Sequence, residues 1–392
     1  MKAMLLTGAT GFVGGEAIKR YLDRAPDLHI VAMIRAVDED RLSKRVDKLL
    51  KTQFGDSADL VRDRFTFVRG DLLKEGLGLS DKDREMIVSE CDSVLHCAAS
   101  VDFGATLEFS REYNVDGTRR MLELCEQMNL RRLDYVSTAY VSGNRSDVCK
   151  EDELSCRGLG WANFYEQSKF ESEALVRSFR EQGHPVSIYR PSTVVGDSNT
   201  GETPNFNVLY WPLRVFARGW WNLMIGYEST PVDVVPVNYV ADCIVNLSLK
   251  GDSTIGRNYH LAAGPDKICH IRDLATHASK WFKQPYPTFV TPEDFEKNIR
   301  PKMDAEATPA LRMLINQGKV YMPYFVRSPL FDCSNVLADL EGTGTEPCMA
   351  IADYFDTLFA YCVETDWGRK PSSKQSAGGE GARKDELAEL MS

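Results

Sequence analysis

The sequence lacks several features that would assign it to a specialised class of protein. No uninterrupted apolar run reaches the roughly 18 residues that cross a bilayer. The ten cysteines are scattered and include no CxxC pair, which argues against a disulfide framework and favours reduced thiols. The six histidines are dispersed, so no metal site is predicted. Positive charge is in deficit, since the net charge is −10, and we therefore expect no nucleic-acid partner.

The termini carry no targeting signal that we recognise. The N-terminal stretch MKAMLLTGATG contains an apolar run of about five residues that leads directly into glycines, which is too short for a signal peptide. The letters KDEL occur at 384–387 but are not terminal, so they do not indicate retention in the endoplasmic reticulum. We expect a cytoplasmic protein without a transmembrane segment.

Short apolar runs alternate with helical patterns over the first two thirds of the chain. The runs at 2–8, 29–35, 65–71, 93–99, 133–140, 186–196, 232–237 and 258–264 predict strands. The stretches 12–24, 38–54, 81–90, 109–129 and 165–182 predict helices. Nearly continuous apolar strands that alternate with helices are typical of a parallel sheet covered on both faces. The predicted fold class is α/β, a Rossmann-type doubly wound parallel sheet with a smaller, mostly helical substrate-binding lobe.

The predicted domain organisation follows from where this alternation fades. Residues 1–265 form the dinucleotide-binding domain, with an insertion of the substrate lobe at about 200–231. Residues 266–367 read as helices and loops with clusters of Phe and Tyr, and they form the C-terminal substrate-binding lobe. Residues 368–392 are rich in Gly, Ser and Lys over their first half, which predicts a disordered tail.

A glycine-rich turn lies between the first strand and the first helix. The stretch LLTGATGFVGGEAI has the spacing GxxGxxG, which differs from the GxGxxG fingerprint. Glycines let the backbone turn tightly and approach a pyrophosphate, whose charge then lies at the helix N-terminus. Glycines also mark ordinary turns, but a strand precedes this triplet and a helix follows it. We predict a dinucleotide site formed by Gly8, Thr10, Gly11, Phe12, Val13 and Gly14.

The second predicted strand ends at Arg35, about twenty residues after the glycines. An acidic residue there would bind the ribose 2′-hydroxyl of NAD, whereas an arginine suits the 2′-phosphate of NADP. Arg45 on the next helix is a second candidate for the phosphate. The predicted cofactor is therefore NADP. A solvated arginine at a strand end is the alternative, and the acidic residues at 38–40 leave NAD open.

Three residues further along predict an acid–base site. Thr138 lies near the carboxyl end of its strand, where open parallel sheets bind their ligands. Tyr165 and Lys169 are four residues apart, so a helix places them on one face. Two hydroxyl donors and a cation would stabilise the oxyanion that a hydride creates at a carbonyl. An adjacent ammonium would also lower the pKa of Tyr165 towards neutrality. A helix that carries both residues by chance is the alternative.

Several motifs together resemble the extended short-chain dehydrogenase/reductases over about residues 3–265. They are TGATGFVG (7–14), GD (70–71), HCAASVDF (96–103), YNVDGT (113–118), VSTAYVSG (136–143), YEQSK (165–169) and YRPSTVVGDSNTG (189–201). Within that superfamily, IRAVDEDRLSKR (34–45), RPSTVVGDSNTG and VPVNYVAD (235–242) look like the thioester-reductase branch. That branch includes fatty acyl-CoA reductases, male sterility proteins and the terminal reductase domains of carboxylic acid reductases.

The resemblance implies roles for individual residues. Thr138, Tyr165 and Lys169 would be catalytic, and Asn114 a structural or relay partner. Asp71 and Leu72 would flank the adenine of the cofactor. The resemblance also implies further cofactor contacts, at Ala98, Ala99 and Ser100 beside the nicotinamide, and at Pro191, Thr193 and Val194, which would close over it.

The stretch 206–227 contains seven aromatic residues and three of the six tryptophans. An aromatic and aliphatic wall suits an acyl chain, so we expect a substrate lid here, with the core of a small lobe as the alternative. Arg214 and Arg218 exclude a membrane span but not contact with a bilayer surface. His96, at a strand end, is expected to be packed or to contact the cofactor rather than to bind a metal.

The leading functional hypothesis is an NADPH-dependent reductase of acyl thioesters carried by CoA or an acyl carrier protein. The product would be an aldehyde, and a second cycle would give an alcohol. Two alternatives remain open. The first is a nucleotide-sugar epimerase or dehydratase, or a hydroxysteroid-type dehydrogenase, although 206–227 looks too apolar for a sugar nucleotide. The second is a cofactor-sensing or scaffolding protein, although such proteins typically lose the Tyr or Lys that this chain keeps. The sequence does not indicate an oligomeric state.

Overall fold

A computed structural model of the protein describes residues 3–206, 208–220, 222–306, 309–327 and 329–370. The strands in chain order are β1 (Ala3–Thr7), β2 (His29–Ile34), β3 (Phe65–Arg69), β4 (Cys91–His96), β5 (Arg132–Val136), β6 (Val148–Cys149), β7 (Val186–Pro191), β8 (Thr193–Val195), β9 (Leu223–Ile225), β10 (Pro231–Val232), β11 (Val234–Pro236), β12 (Asn258–Leu261), β13 (Cys269–His270), β14 (Thr288–Val290) and β15 (Leu330–Phe331). The α-helices in chain order are α1 (Phe12–Arg24), α2 (Glu39–Phe54), α3 (Ala58–Val61), α4 (Asp81–Glu90), α5 (Leu107–Ser110), α6 (Gly117–Cys125), α7 (Phe164–Glu181), α8 (Tyr210–Ala217), α9 (Val237–Leu249), α10 (Ile271–Phe282), α11 (Pro292–Asp294), α12 (Arg300–Glu306), α13 (Pro309–Gly318), α14 (Ser334–Leu340) and α15 (Phe355–Glu364).

The chain divides into two compact units. The first comprises Met1–Val194, Val237–Ala262 and Phe331–Cys348. The second comprises Val195–Pro236, Ala263–Leu330 and Met349–Ser392. The sequence prediction placed all of 266–367 in a C-terminal lobe, whereas Phe331–Cys348 returns to the first unit. The predicted tail lies, from residue 371 onward, outside the described residues.

The first unit is built on a parallel sheet of seven strands. Their order across the sheet is β12-β7-β5-β4-β1-β2-β3. Each neighbouring pair is parallel, and at the centre Leu5 of β1 lies opposite Val31 of β2 and Val94 of β4. The direction of winding reverses between β1 and β4, which makes the carboxyl ends of these strands the place where open α/β sheets bind ligands. The sheet confirms the predicted doubly wound fold.

The central strands are apolar because both of their faces are buried. Two strands end earlier than predicted, at a turn and at a proline. All residues of β1 and of β4 are buried, as expected for strands covered on both faces. The strand predicted at 133–140 ends at Val136, because Thr138 caps a 3₁₀ turn over Ala139–Ser142. The strand predicted at 186–196 ends at Pro191, the last residue of β7.

The predicted helices of the first unit are present with small shifts at their ends. The helix predicted at 109–129 is a composite that runs from Leu107 to Cys125, and its middle part, Arg111–Asp116, is π-helical. Helices α2, α4 and α7 begin with side-chain caps from Asp38, Ser80 and Asn163, respectively. Such caps satisfy the backbone N–H groups that a first helical turn leaves unpaired.

The second unit has an aromatic core of its own. Phe355 and Phe359 of α15 are buried and stack with ring centroids 5.5 Å apart. Phe282 of α10 packs on Phe359 at 5.0 Å. Short strand pairs, β10 with β13 and β9 with β14, accompany the helices. In the part of the chain that the structure describes, no helix combines the length and the apolarity that crossing a bilayer requires.

Candidate active site

The glycine turn after β1 needs glycine for steric reasons. Gly8 has a φ of +83°, in the left-handed region, and its carbonyl accepts a hydrogen bond from Gly11 N at 2.8 Å. A Cβ on Gly8 would lie 2.8 Å from Ala98 N, and a Cβ on Gly14 would lie 2.2 Å from Gly8 O. Real Cβ atoms do not come this close to backbone atoms, so larger residues would force the turn away from β4 and from its own helix.

The helix that follows this turn starts without a side-chain cap. Gly11 is its N-cap, no side chain among the described residues caps it, and its first turn contains no acidic residue. The backbone N–H groups around Phe12 and Val13 therefore have the character of an anion site, in contrast to the capped α2, α4 and α7. A helix of 13 residues with an uncapped, glycine-lined N-terminus fits the pyrophosphate of a dinucleotide.

Two arginines lie beside the glycine turn. Arg45 donates from Nη1 to Arg35 O at 2.7 Å and from Nη2 to Thr10 Oγ1 at 3.2 Å, so it connects the end of β2 to the turn. The Arg35 side chain is exposed, with Cζ 5.9 Å from the ring centroid of Tyr113. Asp38 is occupied as the cap of α2, where it accepts a hydrogen bond from Arg41 N. Guanidinium groups are therefore present beside the turn, at the end of β2.

The residues expected near the adenine and the nicotinamide lie on the loops after β3 and β4. Asp71 accepts a hydrogen bond from Leu73 N at 3.1 Å, and Leu72 is buried. Ala98 N donates to Thr7 Oγ1 at 3.3 Å, which holds the loop after β4 close to the end of β1. Ala98, Ala99 and Ser100 are all partly exposed. These loops lie at the carboxyl edge of the sheet, as predicted for ligand-binding segments.

Thr138 and Tyr165 come together at the carboxyl end of β5. Thr138 Oγ1 donates to Pro191 O at 3.3 Å, and the Thr138 side chain also interacts with the Tyr165 phenol. Burial raises the pKa of Tyr165 above its usual value, and the interaction with Thr138 opposes this shift only in part. Tyr165 is therefore a neutral phenol at physiological pH, with a proton to donate. The ring of Phe103 lies 5.6 Å from that of Tyr165.

Lys169 lies one helical turn after Tyr165, but its ammonium has other partners. Lys169 Nζ donates to Tyr135 OH and to Val136 O, both at 2.8 Å. Burial lowers the pKa of Lys169 to about 8. The four-residue spacing of Tyr165 and Lys169 predicted that the ammonium lowers the pKa of Tyr165. In this structure that expectation is wrong, because burial dominates and the ammonium binds Tyr135 instead.

Asn114 joins the loop after β4 to helix α7. Its side chain makes a double contact with the backbone of Ser100, in which Oδ1 accepts from Ser100 N at 2.8 Å and Nδ2 donates to Ser100 O at 3.1 Å. Nδ2 also donates to Ser168 Oγ at 2.9 Å, and Ser168 Oγ donates to Tyr165 O at 2.8 Å. Asn114 is thus a positioning residue, since it fixes both the loop and the helix that carries Tyr165.

The segment after β7 contacts the turn that follows β5. Thr193 Oγ1 lies 2.9 Å from Tyr140 OH, and the carbonyl of Pro191 accepts the hydrogen bond from Thr138. Thr193 and Val194 are partly exposed. The structure therefore brings Pro191 close to Thr138 and Thr193 close to Tyr140, and a nicotinamide contact of this segment stays a prediction.

His96 is a packed histidine in this structure. Its Nδ1 lies 2.7 Å from Thr7 Oγ1 and its Nε2 lies 3.4 Å from Thr118 Oγ1. Burial, assisted by Lys169, lowers its pKa to about 3, so the ring is neutral. Among the described residues, no cluster of three or more His, Cys, Asp or Glu side chains could hold a metal ion.

Sequence reasoning missed two side chains of the site, Tyr135 and Phe103. Tyr135 is the hydroxyl partner of Lys169, and its ring lies 4.4 Å from Lys169 Nζ. It precedes Thr138 by three residues on a predicted strand, so its position was a usable signal. Phe103, which packs on Tyr165, is part of the motif HCAASVDF, but nothing in its spacing distinguishes it from a core residue.

The second unit contains an apolar cavity of about 90 Å³. Its wall includes aromatic and aliphatic side chains from 206–227 and from later segments, among them Trp211, Phe216, Leu223, Met224, Phe295 and Phe325. Residues 207 and 221 of the predicted lid lie outside the described residues. The aromatic stretch therefore both packs in a core and lines a cavity, so the two alternatives weighed for it are compatible.

Comparison with known proteins places this geometry in context. The profile of a protein family described as "Male sterility protein" matches residues 6–244, which is more than half of the chain. A nonribosomal peptide synthetase of Aspergillus flavus is 29% identical over 271 residues, covering 66% of this chain and 26% of the synthetase. Fatty acyl-CoA reductase 1 of Mus musculus is 27% identical over 325 residues, covering 72% of this chain and 62% of that enzyme. The chain thus spans about a quarter of the synthetase that it matches.

A solved structure agrees with the fold over almost the whole chain. The terminal R domain from the myxalamid PKS-NRPS biosynthetic pathway has a TM-score of 0.79 and 27% identity, covering 95% of this chain and 93% of that domain. These similarities confirm the predicted relation to extended short-chain dehydrogenase/reductases of the thioester-reductase type, and the prediction that the chain is an oxidoreductase. They also support a nicotinamide dinucleotide as its cofactor.

Proposed function

Because the chain belongs to the male sterility protein family, we propose that it reduces acyl thioesters with NADPH. The acyl group is carried by CoA or by an acyl carrier protein, and the product is an aldehyde, which a second cycle reduces to an alcohol. The observation that carries the proposal is the pairing of the Thr138 and Tyr165 hydroxyls at the carboxyl end of β5, in the same unit as the uncapped glycine turn. Fatty acyl-CoA reductase 1 of the mouse, by its name, acts on a substrate of this class.

The chemistry begins with the carbonyl oxygen of the thioester. NADPH, when bound, supplies a hydride to the carbonyl carbon. Thr138 and Tyr165 donate hydrogen bonds to the carbonyl oxygen, and these bonds strengthen as negative charge develops there. Tyr165 then transfers its proton to this oxygen, which the raised pKa of the phenol permits because the group is protonated at neutral pH. The resulting hemithioacetal expels the thiol and leaves an aldehyde.

Lys169 and Asn114 have supporting roles in this proposal. Lys169 binds the ribose of the cofactor while Tyr135 and the Val136 carbonyl hold its ammonium. Asn114 keeps the loop at Ser100 in register with α7. The site thus combines groups that donate protons with groups that fix their positions.

We propose NADPH rather than NADH because of the positions of Arg35 and Arg45. Both guanidinium groups lie near the end of β2, where the ribose of the adenosine half binds in this fold. Arg45 reaches Thr10 of the glycine turn, and Asp38 is engaged as a helix cap. A 2′-phosphate would find two cations at that point.

The apolar cavity of the second unit supports an acyl chain as the substrate. Its lining side chains offer no ionic group among the described residues, and transfer of each methylene from water to such a wall contributes about 0.8 kcal/mol. We also propose a cytoplasmic location, because none of the ten cysteines forms a disulfide in the described part of the chain.

The test is a reduction assay with matched thioesters. Purified protein is mixed with NADPH and decanoyl-CoA, or with a decanoyl-loaded acyl carrier protein, and the loss of the reduced nicotinamide absorbance is followed while products are identified by mass spectrometry. We expect decanal or decanol in step with NADPH consumption for at least one carrier. Absence of NADPH consumption with both carriers and with acyl groups of other lengths would refute the proposal.

A further inference from the structure

Helix α8 of the second unit carries two buried N–H donors without acceptors. Trp211 Nε1 and Arg214 Nε are inaccessible to solvent, and neither has a hydrogen-bond partner among the described residues. They are three residues apart, so they lie on neighbouring turns of one face of the helix. A buried donor without an acceptor costs about 1–3 kcal/mol, more when it is charged, so two on one face indicate a place for an acceptor that the described residues do not supply.

Two more arginines of the second unit lie next to Arg214. Arg218, one turn further along the chain, donates from Nη2 to Asp366 Oδ1 at 2.7 Å. Arg369 belongs to the same turn as Asp366, since its backbone N–H donates to Asp366 O at 3.3 Å. Burial lowers the pKa of Arg214, and the charges of Arg218 and Arg369 lower it further. The Asp366 carboxylate pairs with Arg218, while the charges of Arg218 and Arg369 both act on Arg214.

The cluster adjoins the apolar cavity. Trp211 forms part of the cavity wall and precedes Arg214 by one turn, and Tyr321, another wall residue, lies close enough to Arg214 to affect its pKa. The rings of Trp211 and Tyr321 lie 6.1 Å apart. An apolar ligand in this cavity would therefore lie next to the cationic N–H donors of the arginine cluster.

We propose that Arg214, Arg218 and Arg369, together with Trp211 Nε1, form a binding site for an oxyanion group of a ligand whose apolar chain occupies the adjoining cavity. Guanidinium groups suit phosphate and carboxylate, which accept several N–H donors at once. The inference deepens the proposed function, on which it rests for the acyl chain. The oxyanion has two possible sources, the phosphate of the pantetheine arm that CoA and carrier proteins share, or an ionised carboxylate on a fatty chain.

The experiment compares anionic and neutral ligands that carry the same decyl or decanoyl chain. Binding of decanoyl-CoA, decanoyl-pantetheine, decanoate and decanol to the full chain is measured by calorimetry, in the wild type and in Arg214→Gln and Arg369→Gln variants. Arg272→Gln is the matched control, since Arg272 is an exposed arginine of the same unit that pairs with Asp273. Loss of one charged hydrogen bond corresponds to roughly 10–100-fold in affinity.

Each outcome decides the proposal. A loss of at least about tenfold for decanoyl-CoA but not for decanoyl-pantetheine supports the site with phosphate as its ligand. The same loss for decanoate but not for decanol supports it with a carboxylate. Equal affinities of wild type and both arginine variants for both anionic probes, or equal losses for the neutral probes, would overturn it. Because Arg369 is exposed, its variant keeps the test valid if Arg214→Gln does not fold.

The readout is binding, so the failure of this proposal is distinguishable from failure of the reductase proposal. A protein that binds decanoyl-CoA through these arginines without consuming NADPH retains the oxyanion site and is not a thioester reductase. A protein that reduces decanoyl-CoA with the same KM in wild type and Arg369→Gln, and that binds decanoate with the same affinity in both, is a reductase without the oxyanion site.

Discussion

At the scale of single residues, burial raises the pKa of the Tyr165 phenol and so makes it a proton donor at neutral pH. Its phenol is half-buried against Phe103 and interacts with Thr138, and its pKa is raised rather than lowered. A group that stays protonated at neutral pH can donate a proton to an oxyanion, which is what reduction of a carbonyl requires. The position of Thr138 near a strand end and the motif around Tyr165 predicted that the two share a site. They could not indicate the sign of the pKa shift of Tyr165, since that sign depends on burial by residues distant in the chain.

Replacing Tyr165 with Phe tests this role. The Tyr165→Phe variant removes one hydroxyl and leaves the ring packing, so we expect kcat to fall about 10²–10⁴-fold while NADPH binding is retained. Steady-state rates and NADPH titrations measure both quantities. Tyr286→Phe, which removes an exposed hydroxyl of the second unit, should leave kcat unchanged. A Tyr165→Phe enzyme with wild-type kcat would show that the phenol takes no part in the reaction.

Lys169 provides a prediction about pH. Burial lowers its pKa to about 8, so the ammonium is present below that pH and is lost as the pH rises through it. We therefore expect activity to decline on the alkaline side with a midpoint near pH 8. The Tyr135 hydroxyl accepts a hydrogen bond from the ammonium and favours its charged form, so Tyr135→Phe should lower the pKa of Lys169 further.

Activity profiles of the wild type and Tyr135→Phe against pH measure this effect. The alkaline limb should move to lower pH in the variant, and Tyr286→Phe again serves as the control. An alkaline limb that stays in place, or that moves to higher pH, would show that Lys169 does not govern it.

Arg35 predicts the choice between the two nicotinamide dinucleotides. Its guanidinium is exposed at the end of β2, with no carboxylate partner among the described residues, so removing it should not disturb the fold. In the Arg35→Ala variant we expect the Kd of NADPH to rise roughly 10–100-fold and that of NADH to change little. Fluorescence titration of both cofactors measures the two constants. Equal weakening of both cofactors would mean that Arg35 does not bind the 2′-phosphate.

Among the elements, those with strong apolar patterns were predictable and those with irregular turns were not. The buried strand β1 and the helices α1, α2 and α4 lie within one residue of their predicted bounds, and β4 lies within three. The π-helical turn Arg111–Asp116, which carries Asn114, left no trace in the periodicity of the sequence. A π-helical turn contains an extra residue and redirects the side chains on it, so the contacts of Asn114 with Ser100 and Ser168 could only be seen in the structure.

The buried carboxylate of Glu151 binds the first turn of helix α14 and so holds this helix in the first unit. Glu151 accepts hydrogen bonds from the backbone N–H groups of His260, Asn335 and Val336, and the last two belong to the first turn of α14. This arrangement is a helix cap supplied from about 180 residues earlier in the chain. No local pattern in the sequence identifies it, which is why 331–348 was predicted to belong to the C-terminal lobe.

The Glu151→Gln variant tests this cap. The amide keeps one acceptor oxygen in place of two, so we expect a loss of about 1–3 kcal/mol in the free energy that protects α14 from opening. Hydrogen exchange at the amides of Asn335 and Val336 should become faster than in the wild type. Glu153→Gln is a control, because the Glu153 carboxylate pairs with Arg145 and Arg157 rather than with the backbone of α14 in the described residues. Unchanged exchange in Glu151→Gln would exclude the cap.

The pKa of Glu151 adds a pH dependence with a definite sign. Burial raises its pKa to about 7, against the opposing effect of the three N–H donors. The folded protein therefore retains a proton that the unfolded chain releases, from the ordinary pKa of glutamate, about 4.3, up to about 7. Stability conferred by Glu151 is present in full below that window and declines as the pH rises through it. The free energy of unfolding of Glu151→Gln, measured between about pH 4.3 and about pH 7, should lack this decline.

For the whole molecule, the sequence predicted two regions of different character, and the structure shows two units with a different boundary. The first unit contains the dinucleotide turn and the Thr138–Tyr165 pair, and the second contains the apolar cavity and the arginines beside it. Composition could separate a parallel α/β region from a helical, aromatic one. It could not assign residues 331–348, because long-range hydrogen bonds rather than local propensity hold them to the first unit.

The central claim is that this chain transfers a hydride to the carbonyl carbon of an acyl thioester. The most direct measurement uses NADPH with deuterium at both positions of the nicotinamide C4, together with decanoyl-CoA or decanoyl-loaded carrier protein, and mass spectrometry of the product. The account predicts decanal with deuterium on its carbonyl carbon in the wild type, and little or none from Tyr165→Phe. Reduced product without deuterium, or consumption of NADPH without any decanal or decanol, would contradict it.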